Sequence, residues 1–93
     1  MKIRVTCQDK YEAQKLASIV YLKESNETFI TEILNIVENE LVVSLKDKSA
    51  HSIMLKDTSH VEAFADFLQS VIEKEHKITD TATFGSDVEI IKS

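Results

Sequence analysis

Proline is absent from this chain and Gly85 is its only glycine. Nothing else in the sequence constrains the backbone as much. Turns must be made by Asn, Asp, Ser and Lys, and connections must be short. The same feature removes whole classes of chemistry. Phosphate-cradling loops of the P-loop or dinucleotide type need two or three glycines at fixed spacing, and the nucleophile elbow needs glycines around its serine. None of these can be built here. The chain of 93 residues is expected to form one domain, 1–93, since two fragments of half that length would each lack a sufficient core. Hydrophobic residues make up 43% and charged residues 29%, a mixture that buries a core and is unlike a disordered tail.

Lys2 to Thr6 alternates with period two and predicts a short strand, with Ile3 and Val5 on one face. Asp9 and Glu12 have the spacing of a capping box, and Ala13, Leu16, Ala17 and Val20 predict a helix running to about Lys23. Residues 27–38 carry both periods. Phe29, Ile30, Ile33, Leu34 and Val37 fall at helical spacing, while Thr28, Ile30, Thr31, Ile33, Ile36 and Val37 are β-branched and favour a strand. The expectation is a strand Phe29–Val37, a turn in which Asn39 takes a positive φ, and a strand Glu40–Lys46, with a helix over 27–37 as the competitor.

His51–Lys56 reads as a further strand. Ser59 with Glu62 forms a second capping box. Val61, Phe64, Ala65, Leu68, Val71 and Ile72 then predict a helix ending near His76, with Lys74, His76 and Lys77 set against its C-terminal dipole. Thr79–Ser86 reads as a polar connection and Val88–Ile91 as a last strand or a frayed end, leaving 78–93 as a loosely attached strand or tail. The order β-α-β-β-β-α-β predicts an α+β fold. In it a mostly antiparallel sheet of about four to five strands carries two helices on one face, as a two-layer sandwich. This order is loosely similar to that of small phosphocarrier proteins. Their phosphorylatable histidine would stand where this chain has Gln8-Asp9-Lys10-Tyr11, so no family follows from it.

One internal echo is present: Leu45-Lys46-Asp47-Lys48-Ser49 and Leu55-Lys56-Asp57-Thr58-Ser59, trailed by His51 and His60. Its period is too short for a solenoid, and two strand ends closed by Asp/Ser turn chemistry account for it.

The net charge is −5 and the charges are uneven. Residues 1–23 carry five basic and two acidic groups, residues 24–45 carry five Glu and no basic residue, and residues 57–77 hold five acids against Lys74 and Lys77. A protein that holds nucleic acid through its phosphates clusters Lys and Arg on one face. Here Arg4 is the only arginine and Trp is absent, so direct nucleic-acid binding is not expected. No window approaches the ~18 apolar residues of a membrane span. Cys7 is the only cysteine, which excludes an intramolecular disulfide and fits a reducing, cytoplasmic setting.

The candidate reactive groups form no constellation. His51, His60 and His76 lack the spacing of a metal site, and no cofactor is implied. Cys7, just before a helix N-terminus, has the position of a low-pKa thiol but no neighbouring base in sequence. Catalytic residues are therefore not assigned. The acids are the more informative set. Glu27, Glu32, Glu38 and Glu40 in the acidic hairpin, with Asp57, Glu62, Asp66 and Glu73 along the second helix, are expected to meet a protein partner with a basic surface. Small acidic α+β domains of this composition occur among inhibitors, immunity proteins and phage-borne anti-host factors. Two alternatives stand beside this reading: a homo-oligomeric (homodimeric) assembly subunit whose sheet face or edge is the interface, and a small ligand sensor or thiol/His enzyme.

Overall fold

The computed structural model describes residues 1–22, 27–28, 30–73 and 77–93. Strand β1 (Lys2–Thr6) is followed by helix α1 (Lys10–Val20), whose first turn is capped by Asp9, the carboxylate accepting the Glu12 N–H at 2.9 Å. The expected reciprocal bond from Glu12 does not form, because its carboxylate reaches instead to the Met54 N–H at 3.1 Å. α1 buries Ala13, Leu16, Ile19 and Val20. It ends before Lys23, which lies outside the described residues: Tyr21 is extended, and β2 (Tyr21–Leu22) pairs with β3 (Glu27–Thr28).

Three antiparallel strands follow, β4 (Ile30–Val37), β5 (Glu40–Leu45) and β6 (Ala50–Met54), in the order β4-β5-β6. The β-branched residues thus prevail over the helical spacing of the same segment; Phe29, expected to open this strand, lies outside the described residues. Across β5, Leu41 faces Ile53, and all three of Leu41, Val43 and Ile53 are fully buried. Helix α2 (Thr58–Glu73) is capped by Asp57, whose carboxylate accepts the His60 N–H at 3.1 Å and the Ser59 hydroxyl at 2.6 Å. Ser59 is therefore inside the first turn as a donor to the cap, and not the cap itself. The expected helix end at Lys74–His76 lies outside the described residues.

The segment read as a polar connection is a strand, β7 (Ile78–Phe84), joined by a turn at Gly85 (φ 63) to β8 (Asp87–Lys92). Thr79, Thr81 and Thr83 count as polar in a hydropathy pattern, yet their β-branched side chains suit a pleated strand. β8 is the middle strand of the antiparallel sheet β1-β8-β7, with Val88 and Ile90 fully buried, so residues 87–92 form a central strand and not a frayed tail.

The single sheet expected from the sequence is divided into two three-stranded ones. β1 and β6 meet only at their ends, through the Cys7–Leu55 bridge and the bonds from Gln8 N–H to Met54 C=O (2.9 Å) and from Lys56 N–H to Thr6 C=O (3.0 Å). They part because α1 starts directly after Gln8, and because side chains from the two helices occupy the next amides. Glu12 takes the Met54 N–H, and His60 Nδ1 takes the Thr6 N–H at 3.2 Å. α1 packs against β7 and β8 and α2 against β1, β4 and β5. Phe64, Leu16, Leu68, Val5, Ile90 and Leu41 join both sheets and both helices in one core. Each large side chain buried there contributes roughly 1.5–3 kcal/mol.

Candidate interaction site

α2 is amphipathic in the strict sense. Val61, Phe64, Phe67, Leu68 and Val71 are buried, while Glu62, Asp66, Gln69 and Glu73 are exposed. Steps of four, three and four residues place these four in one line along the outer face of the helix. The Gln69 amide donates to Glu73 Oε1 at 2.7 Å, which makes Gln69 part of the line. The sequence reading left Gln69 out because it carries no charge, although its spacing was visible. Among the described residues, none of Glu62, Asp66 and Glu73 forms an ion pair.

The hairpin acids are placed by the β4–β5 turn. Glu38, not Asn39, carries the positive φ, at 54°. Asn39 is held in the ladder by Leu55 twice, its C=O accepting the Leu55 N–H at 2.8 Å and its side-chain amide donating to the Leu55 C=O at 2.9 Å. The left-handed residue must then be the one before it. The same two bonds set the turn beside the Leu55–Asp57 segment that leads into α2. Glu38 is exposed there, and Glu40, opposite Val37 and Met54, is half-buried.

The remaining candidates scatter. Asp57 is engaged as the α2 cap. Glu32 is exposed on β4 opposite Ser44, away from the turn, and Glu27 pairs with Leu22 in the β2–β3 ribbon. The acids therefore form two features: a line on α2, whose 16 residues span about 24 Å, and a pair at the hairpin tip.

Asp47 and Asp57 have the same local chemistry. The carboxyl of each is held below the usual carboxylate range, first by a serine hydroxyl (Ser49 or Ser59) and then by a backbone amide (Ser49 or His60). The Asp47 bonds to the Ser49 amide and hydroxyl are 2.9 and 2.5 Å long, and the His51 Nε2 lies 3.0 Å from the same hydroxyl. Both copies of the sequence echo are thus turn and cap chemistry.

The basic N-terminal strand is neutralised. Arg4 Nε lies 3.2 Å from Asp87 and Arg4 Nη1 4.0 Å from Glu89; Lys2 lies 3.7 Å from Glu89; and the Arg4 guanidinium sits 5.1 Å over the Phe84 ring. Cys7 is 1% exposed. Burial, followed by the charges of Glu12, Asp87 and Asp9, pushes its thiol up to about 12, so it stays protonated at neutral pH and is a poor nucleophile. Among the described residues no group of three or more His, Cys, Asp or Glu side chains is arranged to hold a metal ion. A cavity of about 410 Å³ is lined by Ser18, Ile19, Leu45, Lys46 and Asp47. No helix among the described residues is long and apolar enough to cross a membrane. No protein-family model, curated protein or solved structure matches the chain.

Proposed function

We propose that this chain is a small, non-enzymatic, acidic protein-binding module, an inhibitor or regulator acting in the cytoplasm, that docks on a basic surface of a protein partner. The line Glu62–Asp66–Glu73 on α2 is its main contact, and Glu38 and Glu40 extend it at the hairpin tip. One observation carries this reading: the acids of β8 are matched by Arg4 and Lys2, whereas the acids of α2 have no cation among the described residues. Solubility alone explains a net charge of −5, but not this division between a matched face and an unmatched one. An unmatched line of carboxylates speeds encounter with a basic surface and repels nucleic acid. The buried, protonated Cys7 supports a non-catalytic role.

The test begins with capture of the tagged protein's partner from nuclease-treated lysate, followed by affinity measurements with two charge-reversed variants. Glu62→Lys with Asp66→Lys, and Glu38→Lys with Glu40→Lys, are each expected to weaken binding about tenfold, ~1.4 kcal/mol. The salt dependence should fall and the unfolding midpoint should barely move. Unchanged affinity in both variants sinks the proposal.

A second reading, a homodimeric assembly subunit, draws on Leu34, Ile36 and Val37, which are 47%, 46% and 54% exposed at one end of β4. A mass of 10.5 kDa by native mass spectrometry at every concentration removes it.

A further inference from the structure

Antiparallel pairing fixes which backbone groups point out of a sheet. In a hairpin with a two-residue turn, the pair flanking the turn exchanges both bonds and the next pair exchanges none, so every second residue directs its N–H and C=O to the far side. The flanking pairs here are Val37–Glu40 and Phe84–Asp87. Counting back from them, the N–H groups of Ile36 and Thr81 point away from β5 and β8, to the sides of β4 and β7 that carry no further strand in their sheets. Both are already bonded. Asn35 Oδ1 accepts the Ile36 N–H at 3.0 Å, and Asp80 Oδ1 accepts the Thr81 N–H at 2.9 Å. Each acceptor also stands at a break in the ladder, with register shifts between Ile33 and Asn35 and between Ile78 and Asp80.

The same arrangement thus occurs on two hairpins that share no sequence: an Asn or Asp at a bulge on an outer strand, with its side-chain oxygen on the next outward amide. The inner edges, where β1 and β6 part, are closed in the same manner by His60 and Glu12. We propose that Asn35 and Asp80 are edge guards, which stop β4 and β7 from accepting a strand of a second copy of this chain. An incoming carbonyl finds its donor already taken, and the bulge carries the following groups out of register. The guard on β4 matters because Leu34, Ile36 and Val37 give that edge the apolar, strand-forming composition that otherwise recruits further strands. Any self-association through this end of the molecule must then use side chains and not the backbone ladder. The proposal is independent of the acidic docking surface.

The test compares Asn35→Thr, Asp80→Thr and their combination with an exchanged variant, Asn35→Asp with Asp80→Asn. The exchange keeps both acceptors and the net charge, while Thr favours a strand and lacks the acceptor one bond further out. By sedimentation velocity, wild type and the exchanged variant should remain at 10.5 kDa over the whole concentration range. Each single Thr variant should shift to twice that mass, because it opens one edge. The combination should grow past a dimer, because two open edges propagate. In dilute samples, amide exchange at Ile36 or Thr81 should speed up in the matching Thr variant. Wild-type self-association with added protection at Ile36 or Thr81 overturns the proposal. So does a folded pair of Thr variants that stays monomeric, or an exchanged variant that associates as the Thr variants do. If one Thr variant does not fold, the other tests the same claim on the opposite edge.

Discussion

Asp47 and Asp57 occupy equivalent places in the two copies of Leu-Lys-Asp-x-Ser and bind their serines alike, yet one closes a hairpin and the other starts a helix. The residue between them decides. Lys48 takes φ 69 and lets the chain reverse into β6, while Thr58 is β-branched, tolerates that region poorly and enters α2. Lys48→Thr should therefore cost roughly 1–2 kcal/mol, read from the denaturant midpoint. The two aspartates also shape the acid limb of stability. Their folded-state pKa values lie below the ordinary 3.8, so their contribution is complete above that value and is lost as pH falls through the depressed ones. The midpoint should decline below about pH 4, and Asp47→Asn with Asp57→Asn should flatten that decline.

At the scale of elements, α2 offers a direct check on its cap. Asp57→Ala should lower the unfolding midpoint more than Ser59→Ala, since only Asp57 bonds a free helix amide. Ser59→Ala dominating would restore the sequence-based assignment. Both helices were legible from spacing, with most of their buried faces (Phe67 of α2 excepted), as were β1, β5 and β6, because apolar and polar residues there alternate or recur. β7 was not: Ile78 is its one buried side chain, and hydropathy does not separate a strand-forming threonine from a loop-forming serine. The α2 acids could be placed on one face from spacing alone. The matching of Asp87 and Glu89 by Arg4 and Lys2 could not be foreseen, because it depends on pairing β1 with β8, and no local pattern announces that partnership. The same gap hid the division into two sheets, which rests on Glu12 and His60 reaching across to strands distant in sequence.

At the scale of the whole molecule, one core serves both sheets, so neither should unfold alone. Phe64 is fully buried in that core. Phe64→Ala should cost about 3–5 kcal/mol and lower the far-UV and near-UV transitions together. Separate transitions would mean two independent units. The placement of β8 between β1 and β7 has a further consequence for biosynthesis. Lys2–Thr6 pair with Asp87–Ile91, so β1 is synthesised well before the strand it pairs with. Translation can complete α1, the β4–β5–β6 meander and α2 while Val5 still lacks Val88 across the pair. A chain ending before Asp87 would leave β1 and β7 without their shared partner and the core without Val88 and Ile90, and would be a ready substrate for chaperones and proteases.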